Sequence, residues 1–337
     1  MKPNLLITGA SGFIGSHLLE EAIHQGYNVF AAVRPSSKIS NIQSTVQVVY
    51  LDYLNAATLT QQLIELKEKY GKFNYVIHNA GATRANSPEE FNTINNLIPQ
   101  TFIQALGQAD NVPEKFVLVS SMAAFGPGSK KTGAPITVHQ PMKPISRYGV
   151  SKKAVSEYLK QQNIVPYTII YPTAVYGPRD KDFIELIKLI NSGLEPYLGL
   201  YKQALSMVHV KDLAFAIVSV LTKADNRTEF IVSDTNNYDK KDLGIIIKKI
   251  LHKKTFLISI PVTPILGIAY IIERLYKIFA PTKMPLLTQE KIYEISSANW
   301  SCEATDVWNT IGSTPTYNLE TGLQNTISWY QQNGLLK

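Results

Sequence analysis

The sequence predicts an α/β chain, a doubly wound parallel sheet followed by a smaller, mostly helical lobe. Three observations carry that expectation. Short β-branched runs alternate with longer helical stretches through the first half, the rhythm changes near residue 175, and 337 residues suffice for a large core with a smaller partner. Leu5–Thr8, Val29–Val33, Val46–Leu51, Tyr75–His78, Phe116–Ser120 and Thr168–Tyr171 read as buried strands. Phe13–Gln25, Ala57–Tyr70, Pro88–Ala109 and Ser146–Gln162 read as the helices between them, which gives βαβ units with helices on both faces. Beyond them, Phe183–Ser192, Val210–Thr222, Lys240–Leu251 and Leu319–Gln332 read as helices and Phe230–Ser233 as a strand. The expected division is 1–175 for the sheet domain and 176–337 for the second lobe, with the chain crossing between them more than once. The segment Gly126–Arg147 holds three glycines and four prolines, too long for a plain connection, and is expected to be a mobile loop at the active site.

Composition excludes several classes. Charged residues are 18% of the chain, hydrophobic residues 45%, and mean hydropathy is −0.04, values of neither a disordered acidic chain nor a membrane bundle. The net charge of +7 comes from scattered Lys and Arg rather than a dense stripe, so no nucleic-acid partner is expected. Cys302 is the single cysteine, and the six histidines form no HxH or HExxH pair, so neither a disulfide framework nor a metal site is expected. No uncharged apolar run reaches the roughly 18–20 residues of a spanning helix. Met1-Lys2-Pro3 leads straight into the first strand without a cleavage site, and the expected location is cytoplasmic.

Thr8-Gly9-Ala10-Ser11-Gly12-Phe13-Ile14-Gly15 follows a predicted strand and opens a helix. Glycines there permit a sharp turn and close approach of backbone N–H groups to a pyrophosphate, beside the partial positive charge of a helix N-terminus. The reading is a Rossmann-type dinucleotide site, with GxxGxxG in place of GxGxxG. A free ribose 2′-hydroxyl is usually held by an acid about 20 residues past the glycines, a 2′-phosphate by arginine. From Ala22 through Leu51 there is no Asp or Glu, while Arg34 ends the second strand with Ser36, Ser37 and Lys38 beyond it. Arg34 and Lys38 therefore favour NADP over NAD, the competing reading being a solvated basic loop.

Of 18 tyrosines, only Tyr148 has a lysine four residues later, Lys152, which a helix places on the same face. A free tyrosine titrates near 10, and a neighbouring cation is the means of making it an acid–base group at neutral pH.

Taken with Leu51-Asp52, His78-Asn79-Ala80-Gly81, Ser120-Ser121, Pro172-Thr173-Ala174-Val175-Tyr176-Gly177-Pro178 and Val208-His209-Val210-Lys211-Asp212, these motifs stand in one order along nearly the whole chain. That order resembles the extended (epimerase/dehydratase) branch of the short-chain dehydrogenase/reductase superfamily. The resemblance implies Tyr148 as acid–base group, Ser121 orienting the reacting oxygen, Lys152 binding the nicotinamide ribose and lowering the tyrosine pKa, and Asn95 supporting a proton relay. It further implies that Gly9, Ser11, Gly12, Phe13, Ile14, Gly15, Asp52, Tyr53, Asn79, Ala80, Gly81, Pro172 and Val175 line the cofactor, with Asp52 and Tyr53 beside the adenine. Relatives often form homodimers, and a homodimer is expected. His209 and Phe125 read as packed residues.

Two departures bear on substrate. UDP-sugar epimerases usually carry Asn after the sixth strand and Arg shortly before the histidine position. Here those places hold Thr173 and the uncharged Ala204–Val208, although Arg147, Arg179 and Lys181 are near in sequence. The carboxyl-terminal part instead resembles 3β-hydroxysteroid dehydrogenase-like and dihydroflavonol reductase-like members. Pro261–Pro281 reads as an apolar lid over the site, with an amphipathic helix on a membrane surface as the competing reading. The leading expectation is an NADP-dependent oxidoreductase interconverting a secondary alcohol and a ketone on a small, mainly apolar substrate. A nucleotide-sugar epimerase or dehydratase is second, and a redox-sensing binding protein third.

Overall fold

All six strands expected in the first half form: Asn4–Thr8 (β1), Asn28–Val33 (β2), Gln47–Tyr50 (β3), Tyr75–His78 (β4), Lys115–Val119 (β5) and Tyr167–Pro172 (β6). The structure, a computed structural model, describes residues 2–37, 39, 42–280, 285 and 288–336; Lys38 and Pro281 lie outside the described residues. With a seventh strand, Thr228–Val232, the order across the sheet is Thr228–Val232, β6, β5, β4, β1, β2, β3, parallel throughout. The order reverses between β1 and β4, and in such sheets ligands bind at the carboxyl ends of the strands beside that reversal.

Helices cover both faces, as a buried parallel sheet requires. The helices are Phe13–His24 (α1), Ala56–Tyr70 (α2), Pro88–Asn92 (α3), Ile98–Gln108 (α4), Arg147–Gln161 (α5), Phe183–Asn191 (α6), Val210–Lys223 (α7), Lys240–Ile250 (α8), Val262–Phe279 (α9), Gln289–Ser296 (α10), Thr305–Ile311 (α11) and Leu319–Gln332 (α12). On one face Leu63 of α2, Phe102 of α4 and Val155 of α5 pack with Leu6, Phe30 and Phe116 of the sheet. On the other, Leu18 of α1, Ile217 of α7 and Trp308 of α11 pack with Leu5, Ile7 and Val117. Thus α7, α11 and Thr228–Val232, all beyond residue 175, complete the sheet's own layers. A third core joins α6, α8 and α12 through Ile187, Ile247 and Ile327.

Two expectations need correction. The single helix expected over 88–109 is α3 and α4 joined by a π-helical turn, Thr93–Leu97. Pro99, at the start of α4, brings no N–H for an i→i−4 bond, and the helix re-registers there. The segment Gly126–Arg147, expected to be mobile, is fastened: Gly128 N donates to Asn299 O, Ile136 N to Ser301 O and Glu303 N to Ile136 O, at 2.8–2.9 Å. Short pairings in the second lobe, such as Leu194–Leu198 with Phe256–Ile260, also lack a period-2 signal strong enough to read from sequence.

Candidate active site

The glycine turn sits at the carboxyl end of β1. Gly9 has φ +66°, and a Cβ there would lie 2.7 Å from the Ala80 backbone nitrogen; one on Gly15 would strike the Gly9 carbonyl oxygen. The backbones of the turn from β1 and the turn from β4 therefore pack directly against each other at Gly9. Asn79 Nδ2 donates to Gly9 O at 3.4 Å and Ala80 N to Thr8 Oγ1 at 3.1 Å, which locks the two turns together. Gly12 precedes α1 in extended conformation, and no side chain caps the helix. Ser11 is exposed, and Phe13 and Ile14 are half-buried. An uncapped helix N-terminus fits a pyrophosphate, whose charge the first-turn N–H groups would satisfy.

At the end of β2 Arg34 is exposed, its backbone turned with Ser37, and among the described residues no carboxylate pairs with its guanidinium. After β3, Asp52 Oδ1 accepts from Leu54 N at 3.1 Å. Tyr53 is buried against Phe102, ring centroids 5.8 Å apart, with its hydroxyl enclosed and unpartnered. Its ring belongs to the core.

On α5 the Ser146 side chain accepts from Gly149 N at 3.2 Å and caps the helix. Gly149, whose role the sequence reading missed, lets the first turn press against Ala123; a Cβ there would collide with the Ala123 carbonyl oxygen. This close approach sets Tyr148 near Ser121, whose hydroxyl favours the phenolate, while Ser121 Oγ accepts from Ala123 N at 3.2 Å. One turn on, Lys152 is buried and donates from Nζ to Val119 O at 3.0 Å.

Asn95 lies on the π turn and is buried. Its Oδ1 accepts from Ala82 N at 2.8 Å, and its Nδ2 donates to Ala82 O at 2.9 Å and Ser151 Oγ at 3.0 Å. The Asn95 Oδ1 and Lys152 Nζ atoms each lie 3.1 Å from the point a Gly81 Cβ would occupy. Tyr148, Ser121, Lys152 and Asn95, distant in sequence, are thus gathered at the ends of β4 and β5. Pro172 is buried at the end of β6, and Val175 is half-buried in a short strand paired with Met207–His209.

Electrostatics qualify one expectation. Burial pushes the Tyr148 phenol up to about 12, opposed by its Ser121 hydrogen bond and reinforced by Glu294. Burial also pulls Lys152 down to about 8. In this state burial dominates both groups, and the lysine gives up its proton before the phenol does. His209 is buried and neutral, its titration near 3 through burial and the nearby Lys211 and His17, and its side chain caps α7.

The sequence reading also missed Glu290 on α10. It accepts from Arg147 Nε at 3.1 Å and Arg147 N at 3.0 Å, and so fastens the second lobe to the residue before Tyr148.

The family described as NAD dependent epimerase/dehydratase matches residues 5–232, about two thirds of the chain and the whole of the sheet just described. The chain belongs to that family. It is an oxidoreductase of the extended short-chain dehydrogenase/reductase type, a family that binds NAD. Its relatives in this family differ in substrate. It is 26% identical over 333 residues to a sterol-4-alpha-carboxylate 3-dehydrogenase (decarboxylating) of Dictyostelium discoideum, covering 95% of this chain and 98% of that one. It is 24% identical over 335 residues to a ceramide reductase of Caulobacter vibrioides, covering 98% and 95%. The UDP-glucose 4-epimerase of Thermotoga maritima superposes with a TM-score of 0.76 at 19% identity, over 98% and 99% of the two chains, a likeness of fold.

Proposed function

We propose that this family member is an NADP-dependent oxidoreductase that interconverts a secondary alcohol and a ketone on a small, mainly apolar molecule. The observation that carries the substrate class is the state of the polar groups that would otherwise meet a diphosphate. Thr173 spends both its N–H and its hydroxyl on Val232 O, at 3.1 and 3.2 Å. Arg179 is held by Ser16 and Glu20, and Arg147 by Glu290. Lys181, the third cation near in sequence, is exposed to solvent. Burying two phosphate charges without a buried cation is costly, whereas an apolar ketone asks only for donors at its oxygen. A sterol carboxylate and a ceramide, both largely apolar, appear in the names of two relatives that match over nearly the whole chain.

A dinucleotide held by the Gly9–Gly15 turn and Lys152 would supply the hydride for a carbonyl carbon. Tyr148 Oη donates its proton to the carbonyl oxygen, which leaves as the hydroxyl of a secondary alcohol, and Ser121 Oγ hydrogen-bonds that oxygen. The raised Tyr148 pKa keeps the proton in place at neutral pH, which suits reduction. Lys152 and the Asn95–Ser151 pair stand behind the phenol, where a proton can be restored. Arg34 is the cation for the 2′-phosphate that selects NADP.

A panel of sterol-like, sphingoid and flavonoid ketones, followed by NADPH absorbance, tests this reading. Tyr148→Phe is expected to lose about 10²–10⁴-fold in turnover while holding cofactor as the parent does. Full activity of the folded variant, or saturable stabilisation and epimerisation of a UDP-sugar by the parent, would overturn it.

A further inference from the structure

Helix α9 is 18 residues long, and only Ala269 on it is buried. Ile268 (53% exposed), Ile271 (58%), Leu275 (47%) and Ile278 (69%) recur at helical spacing as one outward stripe, with Phe279 (80%) beside it. The strand leading into the helix adds exposed Phe256 and Leu257. A lid would turn such a stripe inward; here it faces outward. Monomeric proteins rarely leave so long an apolar face open without a surface to cover it.

Charge identifies the covering. The one acid on the helix, Glu273, turns to α10 and accepts from Gln289 N and Nε2 at 2.7 and 3.1 Å. Arg274 and Lys277 are exposed, as are Lys253 and Lys254 before the strand, and no described carboxylate pairs with any of them. Tyr270, whose hydroxyl accepts from Arg274 Nε at 3.1 Å, and Tyr276 are exposed amphipathic rings of the sort found at headgroup depth. A second copy of the same face would oppose cations to cations. No described helix is long and apolar enough to cross a membrane.

We propose that α9 lies flat on an anionic lipid bilayer, its stripe among the acyl chains and its cations at the headgroups. Helix α10 packs on α9 and carries Glu290 to Arg147, the residue before Tyr148. Docking stands on α9 alone; its use in delivering a lipid-like ketone rests on the function proposed above.

The test is sedimentation of the full chain with vesicles of phosphatidylcholine, with and without about a third phosphatidylglycerol. The parent is expected to sediment with the anionic vesicles and to be released by salt. Each cation at the surface is worth about fivefold in partitioning, so Arg274→Gln with Lys277→Gln should weaken binding roughly 30-fold. Ile271→Glu with Leu275→Glu should abolish it, and turnover of a water-soluble ketone by this variant should equal the parent's, which separates failure of docking from failure of the proposed reaction. Should the glutamate variant fail to fold, the glutamine variant decides. No sedimentation of the parent, binding unaltered in the variants, or a parent oligomer that the glutamate variant splits would overturn the proposal.

Discussion

Asn95→Asp gives a sharp reading of the site because one atom changes beside a buried lysine. The Asn95 side-chain oxygen and Lys152 Nζ each lie 3.1 Å from a common point, so they are at most about 6 Å apart. A carboxylate at that separation, with an effective dielectric near 20, favours the ammonium by about 3 kcal/mol, or roughly two pKa units. Lys152, now near 8, should return toward 10. The sign for stability follows from linkage. In the parent the unfolded lysine keeps its proton to about 10.5 while the folded one loses it near 8, so Lys152 makes stability rise with pH between those values. In the variant that rise should vanish. The lost donations to Ala82 O and Ser151 Oγ cost about 1–3 kcal/mol, evenly across pH. Urea unfolding at half-unit steps from pH 7.5 to 10.5 measures both effects, and the alkaline limb of kcat/KM should move upward with the lysine. An alkaline stability slope identical in variant and parent would refute the placement of Lys152 as a desolvated cation beside Asn95.

Two further outcomes follow from the cofactor end. Arg34→Ala should weaken NADP binding by tenfold or more, since a well-formed charge-assisted contact contributes about 1.5–3 kcal/mol, and leave NAD binding unchanged; calorimetry with both dinucleotides checks it. Gly9→Ala places a Cβ at φ +66° against the Ala80 backbone, so it should cost about 2 kcal/mol or more and part the β1 and β4 turns. A melting temperature and a dinucleotide affinity both equal to the parent's would contradict that account.

The sheet was legible because buried parallel strands are continuous apolar runs, and Leu5–Thr8 or Phe116–Ser120 have few alternatives. The glycine turn and the Tyr148–Lys152 pair were legible for a related reason: both are local, and their spacing alone sets their geometry. What escaped depends on partners far along the chain. Asn95 itself was legible by resemblance, but the π turn that brings it to Ala82 and Ser151 was not, its one sequence mark being Pro99. Gly149 reads as an ordinary helix residue until Ala123 is seen against it. Glu290 lies 143 residues from the arginine it holds, and nothing in its neighbourhood announces that contact. The burial that raises the Tyr148 phenol and lowers Lys152 was not legible, because charge pairing can be read from spacing and desolvation cannot.

The fastening of segment 126–147 bears on how the protein is made. Ser121 and Tyr148 flank that segment, yet its backbone partners, residues 299–303, emerge from the ribosome roughly 160 residues later. At about 5–20 residues per second, that segment stays unpaired for roughly ten to thirty seconds, and only for about the last 3–14 seconds of them is the seventh strand, Thr228–Val232, already made. Its prolines and glycines then serve a second purpose: a stretch with so few backbone donors in register makes a poor strand for another nascent chain to capture. Catalytic competence arrives late in synthesis, when the second lobe folds back and closes the stitch.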